Sequence, residues 1–340
     1  MTLSGKKILI FTPKGIEGRY GKEIYNELNS RGALVEVHPE RPFLNTFYKI
    51  VFRIFKKFSA RIFSNYLKNS LSQYPENNFD YILVIRGELF TKNAVKLLRK
   101  SNPNAFIILY LWDILYVNDK SDIIRYFDKA ISFDRRDVGQ YSELNFRPLF
   151  YLAEQCKIVN SIKTYDLLFA GTMHSVRYKV LNSIKKKYAG RLNMFFYYFL
   201  PSKLVFINNI MRKDIPIKAK ISDFNYQMLS EKSLYEKMSN SKAIIDILYP
   251  GQDSLSMRVM EAMASNIKLI TDYEGIKKYD FYNANNISVI NSANPIIDQN
   301  FINDISYIEV PEEIKEKYGV KKWVDDVFFN CTRVENFMNQ

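Results

Sequence analysis

The sequence predicts an α/β protein made of two consecutive Rossmann-like halves. Short apolar runs alternate with amphipathic helical stretches from one end of the chain to the other. That alternation is the signature of parallel strands joined by crossover helices. It breaks once, across 146–164, and starts afresh near 165. A chain of 340 residues, 47% of them hydrophobic, is also long enough for about two domains with separate cores.

In the first half, KKILIFT (6–12), ALVEVH (33–38), YILVI (81–85), AFIILYLW (105–112) and KAISF (129–133) read as buried strands. Between them, Lys92 to Lys100 has the apolar spacing of an amphipathic helix. The segment FRPLFYLAEQCKIVNSIKT lacks a helical period and reads as the interdomain connection. In the second half YDLLFAG, LNMFFYYFL, AIIDILY, IKLITD and ISVI read as strands. The final KKWVDDVFFNCTRVENFMNQ reads as a closing amphipathic helix, in which Asp325 and Asp326 are expected to be solvated. The expected domains are 1–155 and 156–318, with 319–340 packing back on the first.

Composition narrows the function. Cys156 and Cys331 are too few for a disulfide framework and fit no zinc spacing, so a reducing, cytoplasmic compartment is expected. The opening MTLSGKKILIFTPKG reads as a first strand rather than a secretory leader. No stretch reaches the roughly 18 apolar residues of a spanning helix. The net charge of +13 points to an anionic partner: nucleic acid, membrane or a phosphorylated ligand.

Ligands of open parallel sheets bind at the carboxyl ends of the strands, so three loops matter. The first, TPKGIEGRYGKEIY, spaces Gly15, Gly18 and Gly21 as G-x-x-G-x-x-G before a helix. With Glu40 about 20 residues on, it keeps an NAD-type oxidoreductase open, although the dinucleotide spacing is G-x-G-x-x-G. The plain alternative is a flexible connection. The second loop, FAGTMHSVRYKVL, places the strand end at Ala170 and the turn at Gly171 and Thr172. Ser175 is then the expected helix cap, with Arg177 on the first turn. Small residues, free amides and an arginine suit a diphosphate. His174, one of two histidines beside His38, is either part of that site or a solvated loop residue. The third loop runs from Gly251 to Ser256 into a helix MRVMEAMAS that carries Glu261. A buried carboxylate needs donors, which sugar hydroxyls supply; the alternative partner is Arg258 at i−3.

That third loop carries a resemblance. Asp253-x7-Glu261, followed by Ala-Met-Ala and IKLIT, resembles the E-x7-E signature of GT-B glycosyltransferases. Asp253 stands for the first glutamate, and Ser254 and Ser256 stand where glycines often sit. More widely, LYLWD, YFDKAISFDRRD, RPLFY, YDLLFAGTMHSVRY and SLSMRVMEAMASNIKLIT look like a bacterial group of capsular and lipopolysaccharide biosynthesis glycosyltransferases, related to the spore-maturation type.

The resemblance implies a GT-B fold, two Rossmann-like domains facing each other across a cleft. It implies a nucleotide-sugar in the C-terminal domain and a glycan or polyprenyl-linked acceptor in the N-terminal one. Glu261 would bind ribose hydroxyls. Gly251, the Ser254, Leu255 and Ser256 amides and Arg258 would contact the diphosphate or sugar, with Gly171, Thr172, His174 and Arg177 opposite. The segment Phe224 to Met228 would flank the base, and Asp253 would reach the donor sugar. Gly15, Glu17, Gly18 and Glu88 would line the acceptor side. Such enzymes need no cofactor or bound metal, and the D-x-D metal motif of the other major glycosyltransferase fold is absent from the chain. An inverting transfer needs a base, whereas a retaining one needs none in that role. Asp113, at the end of FIILYLWD, is the first candidate. Glu17 and Glu88 also follow strands of the first half, and the plain alternative for Asp113 is a helix cap or turn residue. A non-catalytic sugar- or membrane-binding scaffold is the alternative to an enzyme.

The positive charge is concentrated. From Phe43 to Tyr74 there are Lys49, Arg53, Lys56, Lys57, Arg61 and Lys68 and no acid. Phe47, Val51, Phe55, Phe58, Ile62 and Tyr66 fall on the other side of a helical wheel. The basic face either is simply solvated or docks on the anionic inner face of the cell membrane. No nucleic-acid module is present, and these aromatics have core spacing, so nucleic acid is not expected as a partner.

Overall fold

A computed structural model describes residues 2–14, 18–42, 56–157, 162–174 and 176–339, with every side chain among them except those of 56–58 and 156–157. They form two compact units, Met1–Pro148 with Val320–Asn336, and Leu149–Gly319 with Phe337–Gln340.

The first unit is a six-stranded sheet in the order β2-β1-β3-β4-β5-β6, parallel throughout. Its strands are β1 (Lys7–Thr12), β2 (Leu34–Pro39), β3 (Tyr81–Ile85), β4 (Phe106–Leu111), β5 (Lys129–Ser132) and β6 (Leu144–Phe146). The near-continuous apolar runs of β1, β3 and β4 fit strands covered on both faces. Its helices are α1 (Arg19–Ser30), α2 (Lys56–Leu71), α3 (Lys92–Ser101) and α4 (Arg135–Gln140). α3 begins where Thr91 Oγ1 accepts from the Ala94 amide, and α4 where Asp134 accepts from the Arg136 and Asp137 amides. α2 packs Phe63, Leu67 and Leu71 into the core and leaves Arg61 and Lys68 exposed. Its buried stripe is therefore one residue round from the Phe58–Ile62–Tyr66 line read from the sequence. Lys49 and Arg53 lie outside the described residues, and so do Gly15, Glu17 and Ser175.

The second unit is a five-stranded parallel sheet in the order β11-β10-β9-β7-β8. It is built from β7 (Tyr165–Thr172), α5 (Arg177–Lys187), β8 (Met194–Phe199), α6 (Lys203–Met211), α7 (Glu231–Ser239), β9 (Ser241–Asp246), α8 (Met257–Ala264), β10 (Lys268–Thr271), β11 (Ile287–Val289), α9 (Gln299–Asn303) and α10 (Glu312–Lys317). Phe169, Leu181, Ile184, Ile245 and Ile270 are at the centre of its core. β7 runs through Gly171 and Thr172, which pair with Tyr198 and Phe199 of β8, so the turn expected at those two residues comes later.

α11 (Val320–Phe328) returns to the first unit. Trp323 is fully buried edge-on to Tyr110 of β4, with ring centroids 4.9 Å apart. Asp326 corrects the sequence expectation. It lies on the same buried stripe, at i+3 from Trp323, and pairs with the buried Arg147 at 3.0 Å and with Lys322 at 3.0 Å. Asp325, one position round, stays partly exposed and pairs with Arg31 at 2.5 Å. Two lysines use one device. Lys129, first in β5, donates to the carbonyls of Asp326 (2.6 Å), Val327 (2.9 Å) and Asn330 (2.5 Å) at the end of α11. Lys268, first in β10, donates to those of Phe301, Ile302 and Ile305 at the end of α9. Each ammonium meets carbonyls that the helix leaves unpaired and that carry its negative dipole end.

Asp326→Ala removes the carboxylate that pairs with the buried Arg147 guanidinium, so unfolding in urea is expected to show a loss of about 3–5 kcal/mol; a loss under about 1 kcal/mol contradicts this role for the pair.

Candidate functional site

In the second unit the strand order reverses between β7 and β9, the place where open parallel sheets bind ligands. Two of the loops singled out in the sequence leave the sheet there. After β9, Pro250 and Gly251 occupy the centre of a turn closed by the Gln252 amide on the Tyr249 carbonyl at 3.1 Å. Gly251 takes φ +88°, the conformation that a type II turn requires at its third position.

The loop is anchored by Asp246, fully buried at the end of β9. It accepts from the Ser256 hydroxyl at 2.7 Å and from Arg258 Nη1 at 3.2 Å. Ser256 is also the N-cap of α8, accepting from the Arg258 amide at 3.1 Å. Arg258 Nη2 then crosses to the Ala170 carbonyl of β7 at 2.8 Å, and its guanidinium lies 4.6 Å from the centre of the Phe169 ring. A Cβ on Gly171 would stand 1.8 Å from Nη2, so the glycine leaves the arginine its path. Arg258 is thus the partner of Asp246 and not of Glu261, the pairing offered by the sequence.

Arg177 makes the second tie. As the first residue of α5, it donates to the Thr172 carbonyl at 2.9 Å and twice to the Ile247 carbonyl, at 2.9 and 2.5 Å. Both arginines are turned toward backbone and Asp246, where they hold the loops after β7 and β9 together. His174 sits against Tyr249, ring centroids 5.0 Å apart. Burial, then Arg177 and Arg258, pull its pKa down to about 3. Asp272, just beyond β10, accepts from the Leu248 amide at 2.9 Å and the Ser292 hydroxyl at 2.5 Å, and burial raises its pKa. Asp253 accepts from the Tyr273 hydroxyl at 2.8 Å.

What this frame presents is the start of α8. Among the described residues, the amides of Ser254, Leu255, Ser256 and Met257 and the fully buried Ser254 hydroxyl have no hydrogen-bond partner in the protein. Amides at a helix N-terminus favour an anion. Glu261 lies further along α8 and is 7% exposed. Thr172 is exposed beside this loop's β7 counterpart. Phe224 is a core residue stacked on Tyr178 at 5.2 Å, while Gln227 and Met228 are exposed.

In the first unit the reversal lies between β1 and β3. Gly18 caps α1 there with extended backbone. Beyond β3, Arg86 and Gly87 both take positive φ, +70° and +65°. This strained bend aims Arg86 at Glu40, fully buried beyond β2, with Nε 2.5 Å from Oε1. Glu88 continues the chain of charge: it pairs with Arg86 at 3.0 Å and with Arg41, and its amide donates to Glu40 Oε2 at 3.2 Å. Glu40 is thereby committed to Arg86 and does not offer the free carboxylate a ribose would need. Asp113, beyond β4, joins this cluster: burial raises its pKa, and Arg86 and Arg41 oppose the rise. Asp113 and Glu88 are therefore brought together.

Sequence reasoning missed Asp246, Asp272 and Arg86. The available signal was an acid or arginine closing an apolar run, in AIID, KLITD and YILVIR.

No family model matches the chain, and no curated protein does. Solved structures do. An α-glucosyltransferase, in complex with UDP and a 13-mer DNA containing a central A:G mismatch, superposes with a TM-score of 0.58 at 13% identity, over 97% of this chain and 96% of its own. A sucrose-phosphate synthase from Thermosynechococcus elongatus gives 0.54 at 12% identity, over 95% of each chain. The fold is that of the GT-B glycosyltransferases. In GT-B terms, the α8 loop belongs to the C-terminal Rossmann-like domain and the Glu40–Arg86–Glu88 cluster to the N-terminal one.

The His174 shift makes the C-terminal site acid-sensitive. Its pKa is about 3 folded against 6.5 unfolded, so between these values the unfolded chain binds the extra proton and stability falls as pH falls. From pH 7 to 5 the loss assigned to His174 is up to about 2 kcal/mol. Urea unfolding at both pH values is expected to show this loss shrink in His174→Gln; an identical pH dependence in the two proteins contradicts it.

Proposed function

We propose that the chain is a glycosyltransferase. It moves a sugar from a nucleotide-sugar donor to a glycan or lipid-linked acceptor in the assembly of a surface polysaccharide such as capsule, lipopolysaccharide or exopolysaccharide. The observation that supports this most is the start of α8 at the β7/β9 reversal, where four amides and the buried Ser254 hydroxyl lack protein partners among the described residues. A diphosphate supplies the acceptors they need, and the dipole of α8 favours its charge as the leaving group departs. Glu261 then receives the ribose hydroxyls, and Asp253, steadied by Tyr273, faces the donor sugar. Gly171, Thr172, His174 and Arg177 shape the facing loop, with Arg177 and Arg258 acting through the fold and through space. This chemistry calls on no bound metal or cofactor.

The acceptor role falls to the first unit, with Gly15, Glu17, Gly18 and Glu88 on its side. Asp113 takes the acceptor proton in an inverting transfer, its raised pKa making it a stronger base. The chain works at the inner face of the cell membrane, where Lys49, Arg53, Lys56, Lys57 and Arg61 meet anionic headgroups. Among the described residues, no helix is long and apolar enough to cross a membrane.

UDP, GDP or another nucleoside diphosphate is expected to raise the melting temperature, and NAD is not. Glu261→Ala is expected to weaken nucleotide binding by about tenfold or more, the equivalent of one or two hydrogen bonds to a charged group. Stabilisation by NAD alone, or full transferase activity in Glu261→Ala, would sink this reading.

A further inference from the structure

We propose that α6 and the segment after it form a second membrane-docking face, in the C-terminal unit, that binds an anionic lipid bilayer. Six of the nine residues of the helix KLVFINNIM are apolar. Its inner side, Phe206 with the half-buried Val205 and Ile210, packs on the core of the unit. Its outer side carries Leu204, Ile207 and Met211 at i, i+3 and i+7, one face of a helix, and these are 65%, 50% and 71% exposed. The chain turns at Lys213, φ +61°, and leaves Ile217, Ile221 and Met228 exposed as well. Of the fourteen large hydrophobic residues exposed among the described residues, six fall within 204–228. Scattered exposed apolar residues are ordinary, but such a concentration marks an interaction surface.

Charge identifies the occupant. Lys203, Arg212, Lys213, Lys218 and Lys220 are exposed along the same stretch. Its two acids are engaged: Asp214 lies 3.6 Å from Arg212, and Asp223 accepts from the Lys220 amide at 3.0 Å and the Tyr178 hydroxyl at 3.2 Å. An apolar stripe among five bases that outnumber two acids matches hydrocarbon beneath anionic headgroups. A second copy of this chain would set the same bases against each other, which disfavours self-association through the face. The inference does not rest on the transferase reading, and its residues all belong to the second unit.

Co-sedimentation of the full chain with vesicles tests it, using phosphatidylcholine alone and phosphatidylcholine with phosphatidylglycerol. The wild type is expected to pellet with the anionic vesicles only, and less so as salt rises from about 0.1 to about 0.5 M. The combined Leu204→Ser, Ile207→Ser and Met211→Ser variant, and separately Lys203→Glu with Lys213→Glu, are each expected to lower the vesicle partition coefficient about tenfold at an unchanged melting temperature. Lys56→Glu with Lys57→Glu runs beside them. If that variant alone releases the protein, the α6 proposal is lost and the first-unit reading stands. Serine variants that pellet like wild type, wild type that pellets with neither vesicle, or wild type that dimerises through this face also overturn it.

Discussion

The buried contact between Asp246 and Arg258 is the interaction on which the C-terminal site depends. It joins the end of β9 to the first turn of α8, and the same guanidinium reaches the Ala170 carbonyl of β7. Each member of the contact has further support. Ser256 fills the second carboxylate oxygen of Asp246, and Phe169 carries the face of Arg258. Taking two charges out of water is costly unless their remaining hydrogen bonds are met, and here several are. Everything else at the reversal follows from this anchor. Gly171 must lack a side chain, Ser256 caps α8, and the amides of Ser254 to Met257 are left without protein partners among the described residues.

The N-terminal unit solves a similar problem with the reverse placement. There the buried acid, Glu40, lies beyond β2 and the arginine, Arg86, beyond β3. The arginine is delivered by two consecutive left-handed residues rather than by a helix. The outcome differs as well. Asp246 is consumed in holding a loop, whereas the Glu40–Arg86 pair sits beside Asp113, whose carboxyl it keeps in a charged and half-buried setting. One unit therefore offers donors for an anion, and the other offers a carboxylate with a raised affinity for protons. That division suits the transfer proposed above, from a phosphorylated donor to a hydroxyl acceptor.

Much of this was legible in the sequence, for physical reasons. Strands covered on both faces must be apolar throughout, so YILVI and FIILYL declare themselves. Pro250-Gly251 announces a turn because few residues tolerate the geometry. The strand β6 was hidden because it has three residues and Asn145 at its centre. The direction of the arginines was hidden for a different reason. Arg177 and Arg258 look like phosphate ligands in the sequence, but their acceptors are mostly backbone carbonyls, and a sequence does not show which carbonyls a fold leaves open. Asp246 was obscured because AIIDILY reads as one strand, although pairing stops at the aspartate. Asp326 was readable: it shares the helical stripe of Trp323 and Val327, and a carboxylate on such a stripe requires a buried partner.

In the function proposed here, the amides at the start of α8 and the Glu261 carboxylate form one nucleotide site. A crystal structure of the chain soaked with a nucleoside diphosphate tests it most directly. Phosphate density is expected within hydrogen-bond distance of the Ser254 to Met257 amides, and ribose hydroxyls on Glu261. Nucleotide density at the loop after β1, with the start of α8 holding only water, would contradict it.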